Sequence, residues 1–164
     1  MTNRVIAWTA DDAERHAVGQ FMARVIAQDA AYISHGEIQT ALSPDGKTWA
    51  PDLARRFGED MRQLGPNRSV AIMRDGGRLV GAAIVLWETG ALEAPHAILE
   101  DIAVEPAARG AGAGEALVHF IEAEAKGRGM KWVFLESGLR NAGAHRFFER
   151  HGYEPVSSVF AKRL

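Results

Sequence analysis

Apolar positions in this chain change their period several times, and each change marks an element. Arg4-Val-Ile-Ala-Trp8 is a short apolar stretch that fits a first strand. From Asp11 onward the apolar positions recur every four residues at Ala17, Phe21 and Val25, joined by Met22 and Ile26. That spacing predicts an amphipathic helix with one buried face. Asp11 opens it, with Glu14 three residues on as a capping-box partner. Residues 29–51 lose the period and end in the turn sequence Ser43-Pro-Asp-Gly46. Asp52 to Leu64 reads as a second helix, stopped by Gly65-Pro66.

Two apolar runs, Ser69 to Met73 and Leu79 to Trp87, flank the turn Arg74-Asp-Gly-Gly77, which is a hairpin signal. A further strand, Ala97 to Val104, runs into Pro106 and a glycine-rich segment. A helix follows from about Gly112 to Lys126, then a strand at Trp132 to Leu135. Ala142 to Arg150 is a helix closed by Gly152, and Val156 to Ala161 a last strand. The order β-α-α-β-β-β-α-β-α-β predicts an α/β (α+β) fold with a mixed sheet and helices on its faces.

At 164 residues the chain has the length of one domain, spanning 1–164. Its 47% apolar and 24% charged content excludes a disordered or fibrous chain. A net charge of −2 gives no field for nucleic acid or an anionic membrane. No apolar run reaches the ~20 residues of a membrane helix, and no secretory signal opens the chain, so a cytoplasmic protein is expected. Cysteine is absent, which removes disulfides, thiolate metal sites and a cysteine nucleophile together. The six histidines, His16, His35, His96, His119, His145 and His151, are scattered without metal-ligand spacing, so no metal is implied.

Arg109-Gly-Ala-Gly-Ala-Gly114 lies between a predicted strand and a predicted helix. Bare backbone there lets several N–H groups converge on one anion, and the helix N-terminus adds partial positive charge. A phosphate or pyrophosphate ligand follows from that physics. A P-loop is excluded because Gly114 is followed by Glu115 instead of Lys-Ser/Thr. The dinucleotide fingerprint G-x-G-x-x-G lacks its third small residue at Glu115, although Glu136 fits the ribose-binding acid. A nucleotide-binding enzyme of that type stays open as an alternative.

The segment resembles the motif Gln/Arg-x-x-Gly-x-Gly/Ala of the GNAT superfamily of acyl-CoA-dependent N-acetyltransferases. The preceding Glu100-Asp-Ile-Ala-Val104 is similar to the glucosamine-phosphate branch of that family. Downstream, Asn141, Ala144, Phe147, Phe148, Gly152 and Tyr153 match its Asn-x-x-Ala-x-x-Phe-Tyr-x-x-x-Gly-Phe segment, with Phe148 where the family has tyrosine. The resemblance covers residues 69–160 in sequence and the whole chain in element order. It implies a largely antiparallel mixed sheet with helices on both faces and a splayed central pair of parallel strands, the fourth and fifth.

It also implies acetyl-CoA as co-substrate and a small-molecule amine as acceptor. Backbone groups of Ile102, Ala103 and Val104 would pair with the pantetheine arm. The N–H groups of Arg109, Gly110, Ala111, Gly112, Ala113 and Gly114 would hold the pyrophosphate. Asn141 and Phe148 would lie beside the arm, with Phe147 near it or in the core. Only a neutral amine attacks a thioester, so a base must take a proton from the ammonium. Glu100 and Asp101 are the candidates; on a strand they face opposite ways, and Glu100 is slightly favoured. Phe148 has no hydroxyl to protonate the leaving thiolate, which leaves water, His145, Tyr153 or no dedicated acid. Without cysteine, transfer is expected to be direct, in a ternary complex.

The acceptor pocket would draw on the loop with Tyr32, Ser34, His35, Glu37 and Trp49, and on Trp87. Its polar, acidic and aromatic character suits a small cationic or amphipathic amine. A homodimer is compatible with this reading. The alternatives are a CoA-binding regulatory module with little catalysis, motivated by Phe148, and a protein or peptide N-acetyltransferase.

Overall fold

The computed structural model describes residues 3–9, 11–90 and 94–164. Strand β1 (Arg4–Thr9) leads into α1 (Asp12–Ile26), a 3-10 turn at Ala30–Tyr32, α2 (His35–Gln39) and α3 (Leu53–Arg62). Strands β2 (Arg68–Asp75), β3 (Arg78–Glu88) and β4 (His96–Val104) follow. After them come α4 (Ala113–Gly127), β5 (Trp132–Leu135) and α5 (Ala142–Arg150).

Asp11 caps α1 by accepting from the Glu14 N–H at 2.8 Å. The return half of the expected capping box is missing, because the Glu14 carboxylate is taken by Thr9 and Arg74. A complete box forms instead at α2, between Ser34 and Glu37. That helix is too short to show a period, which is why the sequence pattern hid it.

The five strands lie in sequence order in one sheet, antiparallel from β1 to β4 and parallel between β4 and β5. Side chains alternate across the sheet and feed two cores. Val70, Ile72 and Ile84 pack under α1 and α3 with Phe21, Met22, Phe57 and Met61. Ala71, Met73, Val85 and Leu99 pack on the other face with Leu117, Ile121 and Phe148 of α4 and α5. Helices therefore cover both faces, as expected.

Two features of the expected topology differ. The strand expected at Val156 to Ala161 does not form, and residues 153–164 join no ladder. Strand propensity needs a partner edge to become a strand, and these residues have none, with Val156, Val159 and Phe160 exposed. As a result the parallel β4–β5 pair forms the edge of the described sheet instead of its centre. No described helix is long and apolar enough to cross a membrane.

Candidate active site

The parallel pairing joins only His96–Leu99 to Trp132–Leu135, while β4 continues alone to Val104. Past Leu99 the two strands part, and the opening between them is a cleft of about 1070 Å³. That exceeds the volume of most single small-molecule sites and leaves room for two ligands.

A β-bulge sits at the mouth of the split. Ile84 pairs with Asp101 but Val85 with Leu99, so Glu100 is the extra residue on β4. A bulge disrupts the strict alternation of side chains. Glu100 and Asp101 therefore both line the cleft, against the expectation that at most one would. Their environments differ. Glu100 accepts a bidentate pair from Arg68, at 2.7 Å from Nε and 2.9 Å from Nη2. Burial pushes the Asp101 carboxyl well above the usual carboxylate range, and the charges of Glu37, Glu100 and Asp60 push it the same way.

The Tyr32 hydroxyl reaches into the same split. It donates to the Ile102 carbonyl at 2.6 Å and accepts from the Ile102 N–H at 3.2 Å. Ile102 thus turns both backbone groups away from β3, toward the missing β5 partner. By antiparallel alternation Ala103 turns its own toward β3, so it does not share the exposed edge with Ile102 and Val104. The Val104 carbonyl accepts from Arg109 Nε at 3.0 Å. Burial and the nearby Asp101 charge raise the Tyr32 phenol well above its ordinary value.

The glycine-rich turn closes one end of the cleft. Gly110 and Gly112 have φ of 74° and 77°, the left-handed region that favours glycine. Gly112 is the N-cap of α4, and the first helical bond runs from Ala116 N to Gly112 O. The N–H groups of Ala113, Gly114 and Glu115 are consequently outside the helix ladder. Arg109, Gly110 and Gly114 line the cleft. Ala111 and Gly112 are exposed and outside its lining, and the Ala113 side chain is buried in the core.

Helix α5 forms the opposite wall. Asn141 caps it by accepting from Ala144 N at 3.1 Å, and Asn141, Ala144, Phe147 and Phe148 line the cleft. Gly114 lets the helices approach, since a Cβ there would sit 3.3 Å from the Phe147 ring. Gly138 is tighter still: a Cβ would lie 2.5 Å from the Ala31 carbonyl and 2.6 Å from that of Ile33. The chain leaving β5 therefore crosses the Tyr32 turn backbone to backbone.

Glu37, Asp60, Asp101 and Glu136 make the lining acidic, with Arg68, Arg109 and Arg140 among them. Asp60, Arg68 and Ser137 were not expected from the sequence, and Glu136 was expected only as the ribose-binding acid of the dinucleotide alternative. The fold alone brings them in, although the acidic run Glu59-Asp60 on the α3 pattern was visible. The Ser137 hydroxyl is buried with no partner among the described residues.

Of the expected acceptor residues, Tyr32, Ser34 and Glu37 line the cleft. His35 does not; its Nδ1 donates to Glu136 at 2.6 Å and ties α2 to the end of β5. Trp49 packs on Tyr32, with ring centroids 6.4 Å apart. Trp87 is a correction. It belongs to the opposite core, against Trp8, and its indole N–H donates to Ser69. The strand period that made Trp87 an attractive end residue also turned it to the α4 face. His145 and Tyr153 lie outside the lining, and the Tyr153 phenol donates to Glu122 at 3.0 Å.

Residues 35–153 match the model of the acetyltransferase (GNAT) family. An aminoglycoside N-acetyltransferase in complex with CoA superposes with a TM-score of 0.70 at 14% identity, covering 100% of this chain and 96% of that one. Glucosamine-6-phosphate N-acetyltransferase from Arabidopsis thaliana gives 0.62 at 17% identity, covering 98% of each chain. A transcriptional regulator from Bacillus halodurans gives 0.71 at 19% identity, covering 99% and 100%. At these identities the likeness shows the fold. Comparison of the sequence with curated proteins finds no match.

Proposed function

Because the chain belongs to the acetyltransferase (GNAT) family, we propose that it transfers an acetyl group from acetyl-CoA to a primary amine of a small cationic molecule, the whole chain acting as one catalytic domain. The observation that carries this reading is the split of β4 from β5, lined by a carboxyl of raised pKa and closed by a glycine-rich helix N-terminus. The antiparallel β1–β4 ladder is unlike a doubly wound parallel sheet, so the dinucleotide alternative falls.

In this reading the pyrophosphate sits on the N–H groups from Gly110 through Gly114, where the α4 dipole favours negative charge; the Arg109 N–H, expected among them, donates instead to the Pro106 carbonyl at 3.2 Å. The pantetheine arm pairs with the edge of β4 at Ile102 and Val104, where it replaces Tyr32 and Arg109 as partner, beside Asn141 and Phe148. The acidic lining draws the cationic acceptor toward Asp101. Asp101 takes a proton from the ammonium, the amine lone pair attacks the thioester carbonyl, and the C–S bond breaks. A carboxylate of raised pKa is a better match for that proton than Glu100, which is held by Arg68. The chain has no cysteine, so no acyl-enzyme on sulfur intervenes. CoA leaves as thiolate and takes up, through water, the second proton that the attacking nitrogen sheds: Phe148 has no hydroxyl, and Tyr153 is turned to Glu122.

Tyr32 then has a measurable role. Its hydroxyl occupies the strand groups that the arm needs, so the arm must displace it. Tyr32→Phe removes the partner of the half-buried Ile102 N–H and carbonyl until cofactor arrives. The variant is expected to melt lower than wild type when free. By calorimetry it should bind CoA about three- to tenfold tighter, the equivalent of one ordinary hydrogen bond. Weaker binding would place the arm elsewhere.

The homodimer is part of the same proposal. Among the described residues β5 has no partner beyond it, Trp132 and Phe134 stack at 6.1 Å on that open edge, and Trp132 is 60% exposed. The tail exposes Val156, Val159 and Phe160 as well. An unpaired apolar edge and an unpaired apolar segment on one chain complement each other in a twofold pair. Light scattering should give a dimer for the full chain and a monomer for one ended after Tyr153; a monomeric full chain overturns this.

A second reading, a CoA-binding regulatory module, is favoured by Phe148 at the family's tyrosine position. Thermal shift with acetyl-CoA, CoA, NAD and ATP tests the cofactor. Stabilisation by the first two alone supports both CoA readings, and turnover separates them.

A further inference from the structure

We propose that Glu115, His119 and His151 form a binding site for a divalent transition metal, with zinc as its natural probe. Two of its members are close in sequence, and the fold supplies the third. Glu115 and His119 are four residues apart on one face of α4, and His151 joins them from the end of α5. One ligand atom from each lies within 4.8 Å of the other two. Zinc bonds of about 2.1 Å to nitrogen and oxygen set tetrahedral edges of roughly 3.4 Å. The distance from His151 Nε2 to Glu115 Oε1 is 3.8 Å, already close to such an edge. Glu115 and His119 are exposed on α4, free to close the remainder by side-chain rotation.

The state of His151 is the second observation. Its Nδ1 lies 2.7 Å from the Phe147 carbonyl oxygen, which only accepts, so Nδ1 carries a proton. In the neutral ring the Nε2 lone pair therefore faces a carboxylate oxygen, a repulsive arrangement that a cation between them reverses. An Nδ1–H held by a backbone carbonyl is also the support that orients metal-binding histidines. The His151 side chain is only 15% exposed, and its ring packs on Phe147 at 4.4 Å and on His119 at 5.8 Å. It is the fixed member; the other two come to it. Two imidazoles and one carboxylate form a borderline donor set suited to zinc, nickel or cobalt. A metal held there would pin the first two turns of α4 to the end of α5, behind the glycine-rich turn. Its binding does not depend on acetyl transfer.

Titration of the untagged full chain with zinc chloride, without cofactor, tests the site. One equivalent should bind with a Kd of about 30 µM or tighter. Glu115→Gln, His119→Ala and His151→Ala should each weaken it at least tenfold. At zinc about 100-fold above Kd, wild type should melt roughly 5 °C higher, a rise that Glu115→Gln removes. Glu115 and His119 are surface residues, so their variants keep the test valid if His151→Ala does not fold. A wild-type Kd weaker than about 30 µM, no rise in melting temperature, or a folded variant weakened less than tenfold would overturn the proposal and leave only a side-chain contact between His151 and Glu115.

Discussion

Asp101→Asn is expected to lower acetyl transfer by ~10²–10⁴-fold, the range for loss of a general base, with acetyl-CoA affinity nearly unchanged. The loss should fall on kcat, because the amide keeps the shape of the carboxyl but takes no proton. Glu100→Gln removes a partner of Arg68 and should cost less than about tenfold in turnover. The reverse order would move the base to Glu100. Stability gives a control with its own sign. The Asp101 carboxyl titrates higher in the folded chain than its ordinary value of 3.8, because it is buried beside Glu37, Glu100 and Asp60. Below that ordinary value both folded and unfolded states hold the proton, and there is no penalty. As pH rises the unfolded state releases it first, so the fold loses stability until the folded pKa is passed. Asp101→Asn escapes this loss. It should melt higher than wild type at neutral pH, and the difference should shrink toward about pH 4. An inactive but more stable variant separates a catalytic role from a folding defect. Wild-type activity should rise with pH as Asp101 and the acceptor amine lose their protons.

The second large effect concerns the turn. Ala111→Glu places a negative charge on an exposed position between Gly110 and Gly112. If the pyrophosphate lies on these amides, CoA affinity should fall at least about 30-fold at low salt, and the loss should shrink as salt screens it. Gly112→Val should abolish binding, with added strain because valine resists a φ of 77°. The melting temperature of each free variant reports folding. Unchanged calorimetric affinity in a folded Ala111→Glu protein would contradict the assignment.

Much of this arrangement was legible in the residue pattern. The helix at Ala142–Arg150 and the strand at Trp132–Leu135 have the expected bounds, because sharp Gly and Asn signals frame their apolar positions. The glycine-rich turn was readable because a strand, three alternating glycines and a helix follow one another without a break. The last strand was not, since strand propensity at Val156 to Ala161 says nothing about where a partner edge lies. The bulge at Glu100 was also hidden. It depends on how β3 and β4 register over their whole length, and it decides which carboxylates meet the cleft. Trp87 was misplaced for a related reason: its side of the sheet follows from register, which the alternation of a mostly apolar strand does not fix. Arg68, Asp60 and Glu136 come from three separate elements, and only the fold brings them beside Asp101.

Release of free CoA from acetyl-CoA in the presence of a panel of small primary amines tests the central claim most directly. The account predicts amine-dependent release that saturates with acetyl-CoA, favours cationic acceptors, and disappears in Asp101→Asn. Stabilisation of the chain by acetyl-CoA with no release above the amine-free rate, across mono-, di- and polyamines, would contradict it and leave a CoA-binding module.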